Sequence, residues 1–143
     1  MNHLAIIKEK IKNDNYANNF GIILDDLKDD YVKMHMELRP IMNNFYDRPH
    51  GAAIYGLADV AFSVIGNNQN IISVALECSI TYHSSPDSGQ ILYVEGKLIK
   101  QSRKIGTYLF TLYTMDNNKQ NIVATMLSTL YRTNRPIEQN RND

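Results

Sequence analysis

The period of the apolar and polar positions changes several times along the chain, and each change marks an element. Leu4, Ile7 and Ile11 recur at helical spacing among Lys8, Lys10 and Lys12, which predicts a short amphipathic helix within an N-terminal segment over residues 1–18. Residues 13–19 are polar, and residues 20–24 alternate. Val32, Met34, Met36 and Leu38 then alternate strictly with Lys33, His35 and Glu37, so two antiparallel strands are expected, joined by an acidic turn at Asp29 and Asp30. Residues 39–49 hold two prolines and two adjacent asparagines and read as a loop.

From residue 51 to residue 65, Ala53, Leu57, Val60, Ala61 and Val64 line one side of a helix. Ile54, Ala58 and Phe62 leave little of the other side polar, so the helix is expected to be buried; Gly66, Asn67 and Asn68 supply its stop. Strands are predicted at 71–82, 91–100, 106–115 and 121–131, separated by turn residues at 84–89 and 116–119. The polar tail 133–143 contains Pro136 and is expected to fray. Long antiparallel strands about one apolar helix, with no alternating βαβ pattern, predict an α+β fold with a single curved sheet. A length of 143 residues fits one domain over 1–143.

Charge narrows the partners. Lysine plus arginine number 15 and aspartate plus glutamate 15, so no global field draws the chain to nucleic acid or to an anionic membrane. No apolar run is long enough to span a bilayer, and the N-terminus lacks a signal-peptide layout. The lone Cys78 cannot form an internal disulfide, which fits a reducing, cytoplasmic setting.

The strongest chemical signal is Asp59, the one Asp, Glu, Lys or Arg between Pro49 and Leu76, lying inside the apolar helix. Desolvation raises a carboxyl pKa and prepares the group as base or nucleophile near neutral pH. A second signal is the helix start, where His50 and Gly51 leave the first backbone N–H groups without intrahelical partners and ready for an oxyanion. Glycine at that point lets a ligand approach the backbone closely.

Together these residues stand in the run NNFYDRPHGAAIYGLAD, where Asn44 precedes His50-Gly51 by six and Asp59 follows His50 by nine. The run resembles the signature of hotdog-fold acyl-CoA thioesterases of the phenylacetic acid degradation type. Residues 71–131, including ITYHSSP, the Gly96 strand and ATMLSTLYR, look like that family's four-strand meander, and the resemblance covers roughly residues 20–132. It implies a hotdog fold, a curved antiparallel sheet wrapped around one long central helix. It also implies hydrolysis of an acyl-CoA to free acid and coenzyme A, with Asp59 as general base or nucleophile and the Gly51 N–H as oxyanion donor. Asn44 would orient the water or the carbonyl, His50 would hold the loop and helix start, and Ser63, one turn after Asp59, would stand near the reacting centre. In the family the asparagine and the His-Gly pair face an aspartate of a partner subunit, so a homodimer is implied, and homotetramers are common.

Two positions depart from the family pattern: Ala52 replaces a frequent second glycine, and Ala75 stands where a Ser or Thr often assists the water. Lys97, Lys100, Arg103 and Lys104 cluster at a hairpin that in the resembling family faces the nucleotide end, and Tyr55 and Phe62 flank Asp59 as acyl-pocket candidates. Cys78 and His83 are five apart in a strand, on opposite faces, and make no nucleophile pair. His3, His35, His50 and His83 show no metal-ligand spacing, so no metal is expected, and no cofactor beyond the coenzyme A of the substrate. A hotdog dehydratase or hydratase, or a non-catalytic acyl-CoA-binding regulator, are the competing functions.

Overall fold

The computed structural model describes residues 2–138. Two short helices, α1 (His3–Ile11) and α2 (Asn15–Phe20), open the chain, followed by strands β1 (Ile23–Lys28) and β2 (Tyr31–Glu37) and a 3-10 turn at Pro40–Met42. Helix α3 (Gly51–Gly66) comes next. Then follow β3 (Ile71–Tyr82), β4 (Ile91–Gln101), β5 (Ile105–Asp116) and β6 (Lys119–Pro136).

Helix α2 occupies the stretch read as polar at residues 13–19. The Asp14 side chain accepts from the Ala17 N–H, a cap worth about 1 kcal/mol. Ala17 is buried, and Tyr16 packs on Phe20 with ring centroids 4.5 Å apart. Gly21, at φ 65°, then ends the helix in a left-handed conformation that costs other residues roughly 1–2 kcal/mol. That stop moves the first strand from the expected Phe20 to Ile23.

All six strands pair antiparallel in one sheet, in the order β1-β2-β4-β5-β6-β3, with α3 lying across one face. Leu57, Ala58 and Ala61 of α3 are fully buried against Val32, Met34, Val94, Phe110, Leu112 and Met126 of the sheet. Phe62 meets Tyr108 and Phe110 edge-on at 5.7 and 5.6 Å, arrangements worth about 0.5–1.5 kcal/mol each beyond burial. The α+β arrangement with a sheet around one long helix is the hotdog fold.

Two expectations about the sheet need correction. Strands β4, β5 and β6 make a three-strand meander, whereas β3 pairs with β6 and lies at the sheet's edge, so there is no four-strand meander. Helix α3 carries the chain across the inner face, and the strand after it joins the edge far from β1. Strand β6 also continues past Tyr131: Ile71 stands opposite Pro136, and the Thr133 hydroxyl donates to the Ile72 carbonyl at 2.6 Å. Residues 133–136 therefore belong to the sheet, and residues 139–143 of the expected tail fall outside the described residues.

Candidate active site

The loop before α3 is tied by its own polar groups. The Asn44 side-chain oxygen accepts from the Tyr46 and Arg48 N–H groups at 2.9 and 3.3 Å, and the Asn44 N–H donates to the Arg48 carbonyl at 2.7 Å. The Asn44 side-chain nitrogen has no partner among the described residues. Arg48 fastens the loop to the β3–β4 connection, donating to Asp87 at 2.6 Å and to the Ser85 carbonyl at 3.0 Å.

This anchoring sets the start of α3. The His50 N–H donates to the Met42 carbonyl at 2.9 Å, and its Nδ1 accepts from the Ala52 N–H at 3.0 Å, which leaves the ring proton on Nε2. The His50 carbonyl takes the N–H groups of Ala53 and Ile54. In this first turn, among the described residues, the Gly51 N–H alone is left without a partner. From behind, the Tyr82 hydroxyl donates to the Gly51 carbonyl at 3.0 Å while its ring lies against the Gly51 Cα. Burial pushes the Tyr82 hydroxyl pKa up, so it stays a donor at neutral pH.

Asp59 is not sunk among core residues, as its apolar surroundings in the sequence led one to expect. Ala52, Asp59 and Ser63 are exposed along one stripe of α3, Tyr55 is half-buried, and Gly56 is covered by Tyr16 of α2. Small residues made the stripe read as apolar. Asp59 instead joins two hollows. One, of about 360 Å³, runs between α2 and α3 and is walled by Tyr16, Tyr55, Gly56, Val60 and Ser63; the other, of about 80 Å³, lies between α3 and the β3–β6 edge, beside Phe62, Ser73 and Ala75. These walls hold water off part of the side chain, and burial alone pushes the Asp59 carboxyl above its ordinary range.

Ser63 lines both hollows, but its hydroxyl donates to the Val60 carbonyl at 2.7 Å. Tyr55 meets the Cys78 thiol, and that hydrogen bond together with burial pushes its hydroxyl up to about 12. Phe62 is 3% exposed and chiefly core. Of the basic cluster, Lys97 stands opposite Tyr31 and Leu109, on the sheet face turned away from α3 and from Asp59. Lys100, Arg103 and Lys104 are exposed and make no ion pair among the described residues. Their hairpin reaches the end of α3 through Gln101, which donates to Gln69 at 3.1 Å, and through Arg132, which donates to Gln69 at 2.7 Å and to the Ser102 carbonyl at 3.3 Å.

Sequence reasoning missed Tyr16, Ser73, Tyr82 and Arg132. Signals existed for two of them: Asp14 followed by Ala17 and Gly21 marks a capped and stopped helix carrying Tyr16, and Ser73 shares a strand face with Ala75. Nothing local points from Tyr82 to Gly51, or from Arg132 to the hairpin.

The thioesterase superfamily model matches residues 49–120, from the residue before His50 to the start of β6. A protein of Archaeoglobus fulgidus that bears an esterase name is 30% identical over 123 residues, covering 86% of this chain and 78% of its own. The acyl-coenzyme A thioesterase PaaI of Escherichia coli is 26% identical over 79% of each chain. The solved structure of that protein, from the phenylacetic acid degradation operon, superposes with a TM-score of 0.86 at 24% identity, over 92% of this chain and 93% of that one. A Streptococcus mutans protein solved with bound acetyl CoA shares the fold at a TM-score of 0.75 and 21% identity, over 80% and 90% of the two chains. The chain belongs to the thioesterase superfamily, as a thioester hydrolase of the hotdog, PaaI-like type.

Proposed function

We propose that the chain hydrolyses an acyl-CoA thioester to the free acid and coenzyme A, in a site that two copies share. The observation that carries this reading is Asp59 at the meeting of the two hollows, with its carboxyl pKa raised by burial. A carboxylate so placed acts as general base toward water or as nucleophile toward the thioester carbonyl. The unpartnered Gly51 N–H, at the positive end of the α3 dipole, suits the oxyanion that develops on that carbonyl. Asn44 has its side-chain nitrogen free to orient the water or the carbonyl, His50 holds the turn, and Ser63 stands beside Asp59. The acyl-CoA thioesterase relative and the neighbour solved with acetyl CoA support coenzyme A as the leaving group.

Distance argues for sharing. Eight residues of helix separate Gly51 from Asp59 by about 12 Å, too far for one carbonyl to touch both. A second copy closes that gap. Strand β3 offers it a twelve-residue edge on which Val74 and Leu76 are 48% and 59% exposed, and an uncovered edge of that length is a template for pairing. A homodimer formed along β3, with dimers joining as a homotetramer, accounts for that exposure. Lys100, Arg103 and Lys104 on their hairpin, with Arg132 bonded to Gln69 just past the end of α3, suit the phosphates of coenzyme A.

The test is a panel of acyl-CoA esters with a thiol reagent, run on the natural chain and on Asp59→Asn. Thiol release by the natural chain, reduced on the order of 100-fold in the variant, is expected. Binding of the esters without thiol release would make the chain a regulator instead.

A further inference from the structure

Four buried polar side-chain atoms have no hydrogen-bond partner among the described residues: Asn43 Oδ1, Ser73 Oγ, Thr114 Oγ1 and Ser128 Oγ. A buried hydroxyl left so loses about 1–3 kcal/mol relative to water, so each asks for a reason. Ser73 differs from the rest by its place. It lines the hollow of about 80 Å³ that also holds Asp59, Ser63 and Ala75, and neither Asn43, Thr114 nor Ser128 borders either hollow at Asp59.

The position of Ser73 is held firmly while its hydroxyl is left free. Its N–H donates to the Asn67 side-chain oxygen at 2.8 Å, and the Asn67 side-chain nitrogen donates to the Ser63 carbonyl at 2.7 Å. The end of α3 and the start of β3 are thereby clamped, with Ser73 lying between register shifts at Ile71/Ser73 and Ala75/Glu77. The other hydroxyl at hand, that of Ser63, is bound to the Val60 carbonyl, and Ala75 has none. A hollow of this size is large enough to hold a water.

We propose that Ser73 is the positioning residue for the hydrolytic water, holding it against Asp59 in the place that Ala75 leaves without a hydroxyl. The inference rests on the thioesterase reading above. In the general-base route the water oxygen bonds the carbonyl carbon while Asp59 takes its proton. The C–S bond then breaks, sulfur leaves with the electron pair, and Asp59 returns the proton to it. In the nucleophilic route Asp59 displaces the sulfur first, and the same water splits the resulting anhydride. Either route consumes one water beside Asp59, and Ser73 Oγ is a ready partner for it.

The test measures kcat, KM and thermal midpoint for Ser73→Ala, and for Ser73→Ala combined with Ala75→Ser. Losing an unpartnered hydroxyl should leave the midpoint unchanged or raised, while kcat falls about tenfold with KM little moved, the rate equivalent of one net hydrogen bond. The second hydroxyl, two residues along the same strand face, should restore part of kcat. A Ser73→Ala enzyme with natural kcat overturns the proposal, as does a kcat loss that follows a lowered midpoint and is not rescued. If Asp59→Asn is as active as the natural chain, the thioesterase reading of Asp59 has failed instead, and the two outcomes separate cleanly.

Discussion

In the proposed hydrolysis Asp59 would work only as a carboxylate, so the sign of its shift sets a pH limit. Burial holds its pKa above the ordinary value of about 3.9, and kcat/KM should fall as pH drops through that raised value. A pH–rate profile tests this: an acid limb at or below the ordinary carboxylate value would show that another group titrates. The same shift bears on stability. The folded chain binds this proton more tightly than the unfolded one, so stability declines as pH rises between the two pKa values. Asp59→Asn should then unfold no more easily than the natural chain at neutral pH, which calorimetry can check alongside. Tyr55, held neutral by Cys78 and burial up to about 12, acts in this pH range as donor and wall, not as base. The chain itself marks Asn44, His50, Gly51 and Asp59 as candidates, because their proposed roles depend on spacing along one loop and one helix. Tyr82 reaches from β3 to a partner on α3, 31 residues away, and no local pattern marks such a bond.

Among the elements, α2 carries the least obvious function. Its Tyr16 lies on Gly56 and walls the larger hollow beside Asp59, so in the proposed reaction the helix would limit the acyl group. Tyr16→Ala should shift preference toward bulkier acyl-CoA esters, each added methylene gaining up to about 0.8 kcal/mol, or roughly fourfold in kcat/KM, relative to the natural chain. An unchanged ranking of substrates would mean the acyl group lies elsewhere. Most elements were legible because β2 and β4 to β6 alternate with the period of a half-buried sheet and α3 is bounded by His50 and Asn67. The orientation of α3 was not. Ala52 and Gly56 are small enough to count as apolar while lying under a neighbouring helix or open to solvent, so an apolar run concealed a groove at the candidate site. Polar residues 133–136 hid the end of β6 for the complementary reason: backbone pairing with β3 holds them, and apolar periodicity is blind to it.

Taken as a complete sheet, the fold has unequal edges. Strand β1 is short and carries Asp25, Asp26 and Lys28, charges that discourage pairing, and β3 is long, with Val74 and Leu76 open. Its position could not be read from sequence order, since consecutive strands usually neighbour one another and here β3 and β4 do not. That placement puts the open edge beside the hollow that holds Asp59, which is why the proposed site draws in a second copy. The central claim is that Asp59 of one copy works with Gly51 of another. Gly51→Pro deletes the proposed oxyanion donor at the first helical position, which suits proline, and His50 at φ −66°, ψ 142° already has the conformation that precedes one. Alone, Gly51→Pro and Asp59→Asn should each lose activity on the order of 100-fold. Mixed in equal amounts by co-expression, they should regain about a quarter of natural activity, because half the dimers are mixed and each has one intact site. A mixture as inactive as either variant would place both groups in one chain's own site and contradict the account.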